Sequence, residues 1–306
     1  GLPGGVINLV HGDGAEIGDI ALAHRDLAAV HFTGSTGTFR HLFRTVGANI
    51  DRYRSYPRVV GETGGKGFVL VHPSADLDVL VPAVLDGAYD YQGQKCSAAS
   101  RLYVPRSLWP AFRDRFVAAT EALTVGDPTE PGTDLGAVIT ERQLRRHEAA
   151  LARARAEGLV LAGGTTDDTV GWFVRPTLLQ VQDPRSPFMI EELFAPLTAA
   201  YVYDDADLEA TLSLVDSSTP YGLTGAVFAT DERALAEAEE ALRWTAGNFS
   251  VNAKPTGAVV GQQPFGGARA SGTDDKVGTV WSSIRSLSPR SVKRQMPAAG
   301  QGAPTR

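Results

Sequence analysis

One cysteine, at position 96, and two methionines are all the sulfur in 306 residues, so the chain cannot close a disulfide within itself and is not a disulfide-framed scaffold. No apolar run approaches the roughly 18 residues of a membrane span. No block of roughly five or six basic residues exists to track a phosphate backbone. Lys and Arg number 29 against 35 Asp and Glu, a formal charge of −6, which argues further against nucleic acid as a partner. The six histidines, at 11, 24, 31, 41, 72 and 147, show no HExxH or paired-ligand spacing, and Gly-x-Ser-x-Gly is absent. Metal-hydrolase and serine-triad readings are therefore dropped, and no metal is expected. The dinucleotide fingerprint Gly-x-Gly-x-x-Gly is missing too: at Gly12-Asp13-Gly14, Ile17 stands where the third glycine belongs. A signal peptide's basic flank and small-residue cleavage site are not seen in Gly1–Val10, which reads as mid-domain sequence. The expectation is a soluble, cytoplasmic chain.

What is present is enough apolar sequence for a large core, 43% hydrophobic against 21% charged, and the length suggests two domains. Short apolar runs alternate with helical spacing, the signature of an α/β protein with largely parallel strands. Val6–Val10 and Ala28–Phe32 read as strands around a helix at Ala15–Ala23, a βαβ unit, and Phe68–Val71 as a third strand. Apolar residues from Leu77 to Ala88 mark a helix leading towards Cys96, with Pro82 expected to kink it or delay its start. Ala111–Leu123, Glu141–Glu157 and Glu232–Leu242 read as helices, and Leu197–Val202, Ala226–Phe228 and Phe249–Val251 as strands. From about Pro297 the chain is small and breaker-rich and is expected to be loose.

Three segments hold groups that could do chemistry. Cys96 follows Gly93-Gln94-Lys95, where a lysine precedes a possible nucleophile; a lone cysteine is otherwise a small, inert hydrophobe. Glu62-Thr63-Gly64-Gly65 turns sharply after apolar Val59-Val60 and could leave a general base at a strand-end crevice, or merely a turn-capping carboxylate. Phe32-Thr33-Gly34-Ser35 closes a strand with N–H groups and hydroxyls where a helix N-terminus could receive phosphate, although such a turn is also ordinary loop chemistry.

In this order, over Leu2 to about Gly278, these segments resemble the NAD(P)-dependent aldehyde dehydrogenases. By that resemblance, Thr33, Gly34 and Ser35 form the pyrophosphate loop, Glu62 is the general base, and Cys96 is the nucleophile. In Glu191-Glu192-Leu193-Phe194-Ala195-Pro196, Glu192 would hold the nicotinamide ribose and Phe194 would pack beside it. Pro264-Phe265-Gly266-Gly267 with Ser271-Gly272 is similar to the signature lining the substrate mouth. The wording Tyr-Gln-Gly-Gln-Lys-Cys-Ser-Ala and Lys-Pro-Thr-Gly-Ala-Val-Val-Gly-Gln-Gln-Pro-Phe is similar to members that oxidise L-glutamate γ-semialdehyde with NAD in proline degradation. The resemblance then implies that Ser97 and the N–H groups of Gly257 and Ala258 meet the α-carboxylate, with Phe265 at the mouth. Oxidation of another small semialdehyde, an inactive remnant, and a cofactor-free thiol acyltransferase remain open beside it.

The implied fold is an aldehyde-dehydrogenase-like α/β chain. It would have a partial Rossmann-type cofactor domain at 1–64, an α/β catalytic domain at 65–280, and an oligomerisation-type strand with a loose tail at 281–306. Family members carry further sequence before the point matching Leu2, including an asparagine of the oxyanion hole. The partners expected are thus a small aldehyde and either an N-terminal fragment or further copies of the chain. Ala195, Gly67 and Ser250 depart from the usual family residues without removing a catalytic group.

Overall fold

A computed structural model describes residues 1–296; the tail expected to be loose from Pro297 lies outside the described residues. In chain order the first elements are α1 (Gly14–Ala23), β1 (Ala29–Thr33), α2 (Thr36–Ala48), β2 (Arg58–Glu62), β3 (Gly67–Val71), α3 (Leu77–Tyr89), β4 (Ala99–Pro105), α4 (Trp109–Ala122) and α5 (Glu141–Ala156). There follow β5 (Val160–Ala162), β6 (Thr166–Asp167), β7 (Phe173–Val174), β8 (Thr177–Val181), α6 (Pro187–Ile190), β9 (Leu197–Tyr203) and α7 (Leu208–Ser217). The last are β10 (Tyr221–Gly222), β11 (Thr224–Phe228), α8 (Glu232–Ala241), β12 (Asn248–Val251), β13 (Ala268–Arg269) and α9 (Val280–Arg285).

The main sheet has seven strands in the order β12-β11-β3-β4-β9-β8-β5. All its pairs are parallel except β5 with β8. Buried parallel strands need apolar residues on both faces, and these strands supply them alternately. Phe68, Leu70, Tyr103, Leu179 and Val227 face a core with α5 to α8, whereas Val69, Val71, Leu102, Val104 and Phe228 face one with α3 and α4. The chain is thus an α/β protein, as the alternation of runs predicts.

A separate parallel pair, β1 with β2, packs Val30 and Val59 against Leu22 of α1 and Val46 of α2 in a small third core. The strand expected at Val6–Val10 does not form: those residues are without regular structure, and Val6, Ile7, Leu9 and Val10 are exposed. Apolar periodicity proposes a strand, but a strand needs a partner ladder, and the β1–β2 sheet does not extend to them. The expected βαβ unit of Val6–Val10, Ala15–Ala23 and Ala28–Phe32 is therefore not formed, and the parallel pair is completed instead by β1-α2-β2.

Pro82 sits inside α3 without ending it, because Asp76 caps the helix start by accepting the Asp78 N–H at 2.8 Å and the buried face of Leu80, Val81 and Val84 holds it in place. The oligomerisation-type strand expected within 281–306 would pair with another subunit, so a single chain does not test it, and residues 297–306 lie outside the described residues. In this chain by itself Val280–Arg285 is helical, and the residues from there to Met296 have no regular structure.

Candidate active site

The carboxyl ends of β1 and β2 lie side by side, since Thr33 pairs with Glu62 and the Gly34 N–H donates to the Glu62 carbonyl at 3.1 Å. This register joins two of the sequence motifs through the backbone. Ser35 accepts the Thr38 N–H at 3.1 Å and so starts α2 at the lip of the crevice, leaving further first-turn N–H groups directed outward.

Beyond Glu62 the chain runs through a slot that only glycine fits. A Cβ on Gly64 would strike the Glu192 carboxylate, and one on Gly65 would strike the Cys96 carbonyl oxygen. The Gly65 N–H instead donates to Glu192 Oε1 at 2.8 Å, and the Gly64 N–H to Thr36 Oγ1 at 3.2 Å. Gly67, a departure from the usual family residue, has the same cause: its missing side chain makes room for the Ala98 carbonyl and the Thr224 hydroxyl.

Cys96 is delivered by a left-handed turn, Tyr91, Gln92 and Gly93 having φ of 56°, 58° and 62°. Two non-glycine residues there store on the order of 1–3 kcal/mol each. Gly93 is obligatory because a Cβ would enter the Ala195 carbonyl. Phe194, facing that turn, is itself left-handed at φ 58°.

Thr33, Gly34, Ser35, Cys96, Ser97, Glu192, Phe194, Gly257, Ala258 and Phe265 all line one cavity of about 880 Å³. Glu62 stands behind that wall, 5% exposed, with its neighbour Thr63 on the lining. Its carboxylate accepts the Gly267 N–H at 3.0 Å. Burial pushes Glu62 up to about 7; the Gly267 N–H and Lys276 oppose this, and Asp274 and Asp275 reinforce it. Burial, followed by the Glu192 and Glu62 charges, pushes the Cys96 thiol up to about 11, against the pull of the Cys96 and Ser97 backbone N–H groups. At neutral pH the sulfur therefore rests as a thiol. Glu192 is likewise raised by burial, offset by the Gly65 N–H, Lys66 and Arg146.

Several lining or supporting groups have no signal in the sequence. Gln143 and Arg146 reach the cavity from α5, and Arg146 donates to the Glu192 carbonyl at 2.7 Å. Their helix reads as a charged, solvated face, and only tertiary packing turns part of it inward. Lys66 lies buried behind the Gly64-Gly65 slot, its ammonium pushed down to about 7 by burial and by Arg101, with Glu192 and Glu191 opposing. Arg101, also buried, donates to the Lys66 carbonyl at 2.9 Å and to Ser218 at 2.6 Å, and so ties the start of β3 to the end of α7. Among the described residues no cluster of three or more His, Cys, Asp or Glu could hold a metal, and no helix is long and apolar enough to cross a membrane.

A concave site with a thiol, a buried carboxylate and a helix N-terminus has counterparts in known proteins. The model of the aldehyde dehydrogenase family matches residues 1–287. The mitochondrial Δ1-pyrroline-5-carboxylate dehydrogenase of Bos taurus is 50% identical over 296 residues, 96% of this chain and 53% of the relative. The crystal structure of the Mycobacterium tuberculosis Δ-pyrroline-5-carboxylate dehydrogenase bound with NAD and cobalamin is similar with a TM-score of 0.91 at 50% identity, over 98% of this chain and 56% of that one. A 1-pyrroline-5-carboxylate dehydrogenase from Thermus with bound NAD matches at a TM-score of 0.86 and 34% identity, over 93% and 54%. The chain thus spans about half the length of these relatives. With nearly its whole length matched and its motifs gathered around one cavity, the chain belongs to the aldehyde dehydrogenase family.

Proposed function

We propose that this chain carries the chemical steps of an NAD-dependent oxidation of L-glutamate γ-semialdehyde, the open form of 1-pyrroline-5-carboxylate, to L-glutamate in proline degradation. The observation that carries the reading is the meeting of Cys96 with the Thr33–Ser35 loop and Glu192 on one cavity, with Glu62 buried at its wall. Residues 1–64 are read as the cofactor-binding part and 65–280 as the catalytic part.

The residues present fit the nicotinamide end of a dinucleotide. Backbone N–H groups at the start of α2 suit a pyrophosphate, and the buried Glu192 carboxylate has an oxygen left over from its bond to Gly65 for a ribose hydroxyl. Phe194 offers an apolar face beside the sulfur. NAD, when bound, supplies the acceptor for the hydride that leaves the substrate carbon.

The Cys96 thiol gives its proton to solvent water as it attacks, the carbon–sulfur bond forming while the carbonyl π pair moves onto the oxygen as an oxyanion. The Cys96 N–H is the donor this chain itself contributes to that oxygen. After oxidation the carbon is a thioester. Glu62, near 7, takes a proton from water; the resulting hydroxide adds to the thioester, the carbon–sulfur bond breaks, and the carboxylic acid and the Cys96 thiolate separate. Ser97, Gly257 and Ala258 line the same cavity, and the Ser97 hydroxyl and the Gly257 and Ala258 N–H groups would meet the substrate's α-carboxylate, with Phe265 at the mouth. Left-handed Gly257, at φ 84°, lets its backbone approach an anion closely. A catalytic thiol needs a reducing compartment, which the proposed cytoplasmic location provides.

The test is intact-mass measurement of the full chain, alone and with the N-terminal half of a relative added, after mixing with NAD and semialdehyde. An acyl adduct on Cys96 that persists in Glu62→Gln and clears in the parent supports the reading, and no adduct on Cys96 under either condition overturns it. Glutamate semialdehyde preferred over succinate semialdehyde, with the preference lost in Ser97→Ala, identifies the substrate; equal use of both assigns the chain to another semialdehyde.

A further inference from the structure

Lys276 has its three N–H donors met by three acceptors: the Gly247 carbonyl at 2.7 Å, the Gly266 carbonyl at 3.3 Å and the Asp274 carboxylate at 2.7 Å. The Gly266 carbonyl and the Gly267 N–H belong to one peptide unit, and that N–H is the donor to Glu62, at 3.0 Å to Oε2 and 3.3 Å to Oε1. An ammonium on the carbonyl end of a peptide polarises it and strengthens its N–H as a donor. The unit is also held in place: Asn248 accepts the Gly266 N–H at 3.0 Å and donates to the Pro264 carbonyl at 2.8 Å. Gly247 lacks the Cβ that would strike the Gly266 oxygen.

We infer that Lys276 is a positioning residue for Glu62, acting through the Gly266–Gly267 peptide to fix the carboxylate at the cavity wall. The inference rests on Glu62 being the base of the proposed reaction.

Four groups bear on Glu62: Asp274 and Asp275 raise it, Lys276 lowers it, and the Cys96 thiol shares its field. Asp275 is balanced from α9, its carboxylate accepting Arg285 Nε at 2.8 Å, with the Thr273 hydroxyl at 2.5 Å. Asp274 is balanced by Lys276 itself. Loss of the Lys276 charge therefore removes a cation and exposes an anion, and both changes move Glu62 in the same direction, towards proton retention at higher pH.

The experiment follows p-nitrophenyl acetate, which acylates Cys96 without a nicotinamide, so that the nitrophenol burst reports acylation and the slower phase reports hydrolysis. In the full chain the slow phase rises with pH as Glu62 ionises. Lys276→Met is expected to move that rise up by about one pH unit while keeping the burst. Lys276→Gln, which retains a donor for the Gly266 oxygen but no charge, moves it in the same direction, and Lys276→Arg restores it. A rise at the parent pH in both Met and Gln variants, or a loss that is uniform at every pH, overturns the inference. Glu62→Gln that clears the acyl group as fast as the parent overturns the reading of Glu62 as base, and the inference with it; that failure appears in the Glu62 variant and not in those of Lys276.

Discussion

Glu62 and Cys96 impose opposite electrostatic demands on one hollow. Burial first, and then the negative charges of Glu192 and Glu62, raise the sulfur to about 11, so it remains a thiol until substrate arrives. Glu62→Gln removes one of the two carboxylates whose charge helps hold the thiol proton, so alkylation of Cys96 by iodoacetamide should become faster between about pH 7, above which Glu62 is ionised, and about pH 10. The same substitution should slow thioester hydrolysis by about 10²–10⁴-fold. A parallel loss of both would show that Glu62 deprotonates the thiol instead.

The raised carboxyl has a consequence for stability as well. With a folded value near 7 above an ordinary 4.5, Glu62 contributes stability that is present in full below 4.5 and is lost as pH rises through 7. Urea titrations of Glu62→Gln across that window should lack this decline, a difference on the order of 2 kcal/mol between its ends.

At the scale of elements, the site depends on loops that pass closer than side chains allow. Gly65→Ala would push a methyl group into the Cys96 carbonyl, so the nucleophile loop must shift. The expected outcome is loss of the Cys96 burst with little change in helix content by circular dichroism; an unchanged burst would show that the slot is slack. Ser35→Ala removes the α2 cap and should lower stability by about 1 kcal/mol. Lys66 behaves differently. As a buried cation beside Arg101 it is costly, and Lys66→Met, which preserves volume, should leave the melting temperature level or raise it.

Elements were legible in the sequence where a period was long and both faces had partners. Helices α4, α5 and α8 and strands β3, β9, β11 and β12 fall where apolar spacing places them. Strand β4 was not found because Ala-Ser-Arg-Leu-Tyr places a charged residue in mid-strand, and only Ser218, Tyr103 and the Lys66 carbonyl make a buried Arg101 tolerable there. Val6–Val10 failed in the other direction, apolar enough for a strand yet without a ladder to join.

At the scale of the whole molecule, large apolar side chains among the described residues stand exposed near the first residues and on α9. Ile7, Leu9 and Val10 are 80%, 82% and 68% exposed, and Trp281 and Val280 of α9 are 65% and 64% exposed. Contiguous apolar patches mark surfaces that another polypeptide covers, and a partner over these residues is our proposal. Light scattering of the chain alone should show concentration-dependent association, and adding the N-terminal half of a relative should suppress it while increasing NAD affinity. Monodisperse chain with unchanged affinity would count against an N-terminal partner.

The sequence by itself determined the chemistry on offer, because a single thiol, a Glu-Thr-Gly-Gly turn and a Thr-Gly-Ser loop are local patterns whose residue types already limit what they can do. It also determined the alternation of strand and helix, since burial on both faces leaves a periodic trace in the apolar residues. Only the tertiary structure decided that Glu62 is buried and held by Gly267, that Arg146 reaches the cavity and the Glu192 carbonyl from a charged helix, and that Lys276 reaches the carbonyl end of the same peptide. Proton affinity depends on which dipoles and charges end up within a few ångströms, and those neighbours come from positions more than 200 residues apart, as Glu62 and Gly267 do, so no local pattern records them.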